Sequence, residues 1–483
     1  MNRYTVWAGA ALLLPAISLA DTSDCGTRQN NTVEKLTECV TLEGVRGHQA
    51  ALQAIADANG GHRVGGSAGD LATVEYIRDQ LMAAGYSVEL QPVQFQTFFT
   101  VAPPVLEQVA PVPGSIANTI MAYSGSGDVT APVTTLWGPP VDATPGCEAA
   151  DFAGFPAGNI ALISRGACTF AIKAINAYNA GASGVVIYNN AAGPINGTLG
   201  NGFTLDLPVT SVTQAVGEQL AATPGLVLRL ETETFRGIAT TYNVIAETAT
   251  GNPDNVVVVG GHLDSVNAGP GINDNGSAIG AMLETAKQLG RTRVANKVRF
   301  AWWGAEESGL VGSTYYVNSL SAEDVARIAL YLNFDIIGSP NYAYFVYDGD
   351  DSDAVGAGPG PAGSAAIEKA FEAFYDSRGL PYKGTDFSGR SDYGPFIAVG
   401  VPSGGVFSGA EGIKTADEAA LWGGVAGLAY DPCFHQACDT YDNVSLGALD
   451  VNADAVAHAT LTFAMSTAEV NGVRSRGKSG KNK

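Results

Sequence analysis

Three apolar runs in the second half of the chain each stop at an acid or an imidazole: VVVVGGH at His262, KVRFAWWGAEE at Glu306 and Glu307, and IALYLNFD at Asp335. Unbroken Val- and Ile-rich runs mark strands covered on both faces, as in a parallel sheet. Between the first two, Ile279, Met282, Leu283, Ala286 and Leu289 recur at helical spacing and predict one apolar stripe. Strand, helix and strand make a crossover unit. Open parallel sheets bind ligands at the carboxyl ends of their strands, where these polar groups sit. Earlier in the chain, Leu52, Ile55 and Ala56, then Val74, Ile77 and Leu81, predict helices that give way to a strand by about residue 95, with Gly85 stopping the second. From about residue 100 to 135 the helical period disappears among Pro, Val, Ala and Gly. A second strand-helix-strand unit follows in NIALISRGACTFAIKAINAYNAGASGVVIYNN, with its helix at about residues 170–180. The fold class expected is α/β: a mostly parallel mixed sheet flanked by helices, interrupted by a second, β-rich module.

Length and charge narrow the setting. A chain of 483 residues supports two or three domains. Its formal net charge of −21 repels a nucleic-acid backbone, so no nucleic-acid partner is expected. Arg3, the apolar stretch from Tyr4 to Leu14 and the exit Ser18-Leu19-Ala20 read as a cleavable secretory signal over residues 1–20. The rival, a membrane anchor, is broken by Pro15 and falls short of the roughly 20 apolar residues a span needs. No span is expected in the mature chain, whose location is then extracellular or periplasmic. The basic end, Arg474 to Lys483, reads as part of a flexible tail over residues 471–483. Six cysteines fall as three local pairs, Cys25 with Cys39, Cys147 with Cys168 and Cys433 with Cys438, and in an exported chain three disulfides are the natural proposal. The pairing rests on proximity. A cysteine-ligated zinc site is the rival, without the repeated short spacing it requires.

Acids and an imidazole converging at adjacent strand ends would repel and desolvate one another unless a cation neutralised them. Mixed His and carboxylate ligation suits zinc, with manganese or cobalt as alternatives. The candidate ligands are His262, Asp274, Glu307, Asp335 and His435, the last inside a short loop that Cys433 and Cys438 can clamp. His48, His62 and His458 lie outside any such cluster. Asp264, two residues after His262 on an extended segment, is placed to accept the second imidazole proton and set the tautomer. An unliganded acid must move a proton, and Glu306 is the candidate. Ser265, Ser277 and Ser308 do not lie in the G-x-S-x-G elbow of a serine hydrolase.

In Ile163, Arg165, Gly166, Cys168, Phe170, Lys173, Ala180-Gly181-Ala182 and Val185 to Asn190, the second module resembles the protease-associated domain of secreted peptidases and receptors. The segments HLDSV, GPGINDNGSA, AEESGL and NFDIIG, with the late His435, resemble in order the secreted di-zinc aminopeptidases. That resemblance implies two zinc ions per chain, one held by His262, Asp274 and Asp335, the other by Asp274, Glu307 and His435. Glu306 would be the general base, and peptides with a free amino terminus, usually apolar in the first residue, the substrates. Domains would run over residues 21–104 and 236–470 for the catalytic part, with the protease-associated module inserted over residues 105–235. The resemblance also places Arg390, Ser391 and Asp392 of GRSDYGPF near the bound amino end. One departure is Phe434, where many members carry a Tyr that hydrogen-bonds the developing oxyanion; Tyr393 and Tyr441 are the candidate substitutes. Asp450 and Asp454 match a calcium position in some relatives, but the third ligand expected near residue 39 is not acidic, which favours capping or plain surface charge. The alternatives carried forward are a carboxypeptidase or dipeptidase of the same fold and a non-catalytic binding ectodomain.

Overall fold

The computed structural model describes residues 24–473, apart from residues 139, 140, 194, 196 and 357. The expected signal, residues 1–20, and the basic end from Arg474 lie outside the described residues. At the centre, strand Asn252–His262 pairs in parallel with Asn296–Trp303 on one side and Ile328–Phe334 on the other, and Ile328–Phe334 pairs in parallel with Ser403–Phe407. These are the three runs read from the sequence, plus one more. Successive residues face opposite ways, as a strand requires. Val257 and Val259 enter one core with Phe300, Trp302, Leu330 and Leu332, while Val256 and Val258 enter another with Trp303, Tyr331 and Phe396. Both faces are therefore covered by helices, which explains the lack of polar alternation along residues 256–262 and 328–332; in Asn296–Trp303 the half-buried Lys297 and Arg299 do alternate with apolar neighbours.

Helix Gly276–Leu289 is buried over much more than the predicted stripe, because helices Leu42–Ala58 and Leu446–Met465 pack on it from outside. Its further buried positions include Gly276, Ala278, Gly280 and Ala281, small residues that admit close neighbours without registering as apolar periodicity. A Cβ on Gly280 would stand 2.9 Å from the carbonyl of Val45. Helices Leu42–Ala58 and Ala68–Ala83 begin at Thr41 and Ser67, whose hydroxyls accept amides of the first turn.

Strand Val88–Ala110 runs antiparallel to Val227–Glu247, unbroken in register from Val88↔Ala246 to Thr100↔Thr234. The near end of this ribbon pairs with Asn296–Trp303, and its far end pairs with Gly127–Leu136, which begins the second module. There Ile160–Ser164, Gly184–Tyr188 and Val209–Val212 form a parallel set, with helix Phe170–Asn179 crossing between the first two. Both module boundaries expected from the sequence, near residues 105 and 235, fall inside the two ribbon strands. Asn471, read as the head of the tail, closes helix Ala468–Asn471 and donates to Asn255 Oδ1 at 2.9 Å. All three cysteine pairs are disulfides: Cys25–Cys39, Cys147–Cys168 and Cys433–Cys438. No helix among the described residues is long and apolar enough to cross a membrane.

Candidate metal centre

The carboxyl ends of the central strands turn sharply, and the turns carry the polar residues. His262 is the last residue of its strand. Glu306 and Glu307 occupy a single 3-10 turn, Glu306–Ser308, entered through Ala305 at φ 56°. Asp335 follows strand Ile328–Phe334 and precedes Ile336 at φ 54°, and His435 itself sits at φ 56°. Left-handed backbone at non-glycine residues costs on the order of 1–3 kcal/mol each and persists only where the surroundings enforce it. Three such positions at the ligand-bearing corners show that local backbone preference is overridden there.

The side chains converge in two groups around Asp274. His262 Nε2 lies 3.2 Å from Asp274 Oδ1 and 3.2 Å from Asp335 Oδ1. His435 Nε2 lies 3.3 Å from Asp274 Oδ2 and 3.1 Å from Glu307 Oε2. Each Asp274 oxygen thus faces its own imidazole and a further carboxylate. Glu306 stands beside both groups, its Oε2 4.0 Å from His262 Nε2. The Asp264 carboxylate is 3.5 Å from His262 Nδ1, but the nearer acceptor is the Asp264 main-chain carbonyl at 3.2 Å. Its Oδ1 accepts the amide of Glu306 at 3.0 Å, joining the two strand ends.

The electrostatics are those of a place built for positive charge. Burial disfavours a charged His435, yet its bonds to Asp274 and Glu307 outweigh this and push it up to about 10. Burial likewise opposes a charged His262, and Asp335 and Glu306 hold it well above its ordinary value. Burial and the nearby Asp274 push Glu307 up to about 7, and burial with Glu307, Asp335 and Asp392 holds Glu306 well above the carboxylate range. Glu307 Oε1 is buried without a hydrogen-bond partner. Two imidazoles and three carboxylates crowded with too few protons to share are a donor set that fits zinc.

The cavity above this cluster, about 460 Å³, is lined among others by Ile336, Tyr347, Phe407 and Phe434. Of the residues expected around the substrate, Arg390 stands at its rim, 70 % exposed, paired with Glu411 at 2.8 Å. Ser391 also lines it, but its hydroxyl donates to Asp335 Oδ2 at 2.7 Å and accepts from Asn333 Nδ2 at 2.9 Å. Asp392 is fully buried and outside the lining. Of the two candidate hydroxyls, Tyr393 lines the cavity and Tyr441 does not; the Tyr441 ring lies under Arg46. Phe434 stacks on the His435 ring at 3.8 Å. Asp454 accepts from Arg378 at 2.6 Å, so its carboxylate is already engaged by a cation. The sequence reading missed Asn275, whose side chain bonds Phe334 O and Ile336 N on either side of Asp335. It also missed fully buried Arg63, which donates to the carbonyls of Leu263, Pro270 and Gly271 in the loop between His262 and Asp274. A lone Arg or Asn in a loop carries no periodic signal.

Residues 243–460 match the Peptidase family M28, and residues 129–220 match the PA domain. An aminopeptidase of Pseudomonas aeruginosa is 46 % identical over 448 residues, covering 90 % of this chain and 83 % of that protein. Leucine aminopeptidase 2 of Arthroderma otae is 43 % identical over 432 residues, covering 87 % and 83 %. Among solved structures, the zinc aminopeptidase of Bacillus subtilis superposes with a TM-score of 0.59 at 26 % identity, covering 87 % of this chain and 94 % of that one. The chain belongs to peptidase family M28 and carries a PA domain. It is an enzyme of the zinc aminopeptidase class.

Proposed function

We propose that this enzyme is exported, holds two zinc ions, and removes single residues, preferably apolar ones, from the free amino end of peptides. The observation that carries this reading is the division of the Asp274 oxygens between two imidazole-carboxylate groups. His262, Asp274 and Asp335 would hold one ion, and Asp274, Glu307 and His435 the other. Bound there, zinc supplies Lewis acidity that polarises the scissile carbonyl and lowers the pKa of water. Glu306 belongs to neither group and stands beside both, so it is the side chain free to take a proton from the attacking water and return it to the leaving amine. Asp264 anchors the Glu306 amide and receives His262 through its carbonyl, which holds base and ligand in one frame. The apolar side chains of Ile336, Tyr347, Phe407 and Phe434 suit an apolar first residue, in keeping with a relative named leucine aminopeptidase. Export rests on the residue 1–20 pattern and three disulfides. A carboxypeptidase needs a cation free for the substrate carboxylate, and Arg390 is engaged by Glu411.

The deciding experiment is zinc analysis together with hydrolysis of a free-amine amino-acid anilide and its acetylated counterpart. Two zinc ions per chain and cleavage of the free-amine compound alone are expected. Cleavage of the acetylated compound would remove the aminopeptidase assignment, and absence of both metal and hydrolysis would leave a binding ectodomain.

A further inference from the structure

The two groups meet only if the loop bearing His435 is held at one register against the segment bearing Asp274, far away in sequence. The Cys433–Cys438 disulfide cannot do this, because it closes the loop on itself, with a sequence separation of 5. A tie to the rest of the molecule comes from the next residue, Asp439. The Asp439 carbonyl accepts the amide of Ile272 at 3.1 Å. Its Oδ1 accepts the amide of Asn273 at 2.8 Å, and its Oδ2 accepts the amide of Asp274 at 3.0 Å. One residue therefore takes three consecutive amides leading up to the shared carboxylate. On the other side of the disulfide, Asp431 accepts Asn273 Nδ2 at 2.7 Å and the amide of Cys433 at 2.8 Å, so the loop is fastened at both ends.

Asp439 and Asp431 are both buried, one bonded to the Asp274 amide and the other to the Asn273 side chain. An anion placed there is costly unless the bonds it makes are needed. Amides aimed at a carboxylate make charge-assisted hydrogen bonds, stronger than neutral ones. Building on the two-zinc reading above, we propose that Asp439 is a positioning residue that sets the register of His435 against Asp274, and so the spacing of the group formed by Asp274, Glu307 and His435. The disulfide gives the loop its shape; Asp439 gives it its place. Outer partners of metal ligands typically account for about 10–100-fold in metal affinity.

The test compares wild-type enzyme with Asp439→Asn, whose amide offers one acceptor and turns an N–H toward the second backbone donor. Stepwise zinc affinities are read by competition with a chelator, beside the unfolding midpoint of the metal-free forms. The expected result is one zinc weakened about 10–100-fold while the other is retained. Both zinc affinities unchanged would overturn the proposal, as would equal weakening of both with a fall in the metal-free midpoint, the mark of a merely structural residue. If Asp439→Asn does not fold, hydrogen exchange on metal-free wild-type protein decides. The amides of Ile272, Asn273 and Asp274 should remain protected without zinc; if they are protected only with zinc bound, Asp439 is not what holds them. Wild-type enzyme binding fewer than two zinc ions would instead break the two-zinc reading, and the exchange measurement would still judge Asp439.

Discussion

The catalytic sheet and the PA lobe contain the same unit with opposite endings. In the lobe, Ile160–Ser164, helix Phe170–Asn179 and Gly184–Tyr188 repeat the order of Asn252–His262, Gly276–Leu289 and Asn296–Trp303, here with both strands buried along their whole length. At the lobe's strand ends, Arg165 donates to Asn189 Oδ1 at 3.2 Å, and Asn189 donates to the carbonyl of Gly193 at 3.0 Å. Donors there meet acceptors, and the ends close on themselves. At the catalytic strand ends acceptors outnumber donors, the four carboxylates of Asp274, Glu306, Glu307 and Asp335 being gathered around only two imidazoles, His262 and His435. The fold supplies a convergence point in both halves. Only the residue types at the turns make one of them chemical.

The sharpest way to break this comparison is to remove the metal. Prolonged chelation should abolish hydrolysis and zinc should restore it, while hydrogen exchange across Ile160–Ser164, Gly184–Tyr188 and Val209–Val212 stays as it was. Comparable loss of protection in the lobe would mean that the two halves are not separate. Next in size, Glu306→Gln should lower kcat by about 10²- to 10⁴-fold with zinc content intact, whereas Glu307→Gln should lose zinc. Full activity in Glu306→Gln would move the base to another residue. The mirror experiment is Ile187→Ala, which empties a fully buried site in the lobe. It should cost about 2–5 kcal/mol in urea unfolding of the lobe, with kcat unchanged; a fall in kcat would show that lobe packing reaches the site.

The smallest effect concerns pH. Burial works against the charge on Glu284, in the catalytic half, but the nearby His48 imidazole, 3.4 Å away, and hydrogen bonds from Lys287 and Gln288 outweigh it and hold the carboxyl at about 2, below the ordinary 4.5. A depressed acid stabilises the fold fully above its unfolded value, and that stability is lost as pH falls through its folded value. Glu284 therefore contributes above pH 4.5 and loses that contribution down to about 2. Glu284→Gln should flatten the decline of unfolding free energy over that window; an unchanged slope would show that other acids carry it.

The parts of this architecture legible in the sequence were those with a short-range signature. The strands leading to His262, Glu306 and Asp335 announce themselves because a mostly apolar run gives way to a polar residue. His435 stands out because two cysteines flank it. The further buried Gly and Ala positions of helix Gly276–Leu289 did not, since these residues carry little hydrophobic contrast although they bury completely. Nor did the role of Asp439, whose partners lie at residues 272–274, or of Ser391, whose hydroxyl turns from the cavity toward Asp335. Such pairings depend on which distant turns the sheet brings together, and single-chain periodicity holds no record of that.

The ribbon that joins the halves also defines how the lobe is attached. Thr97 pairs with Gly237, and Gln96 with Ile238, so the path outward and the path back cross the same rung of one ladder. Everything between those crossings enters and leaves at a single point, and a tight turn placed there would close the catalytic half without any other strand changing neighbours. In topological terms the lobe is a single insertion into a hairpin of the catalytic half. Exchanging it for another lobe requires that the stem's register be kept, together with the bonds that Thr100, just beyond those rungs, makes to Asn267 and His62.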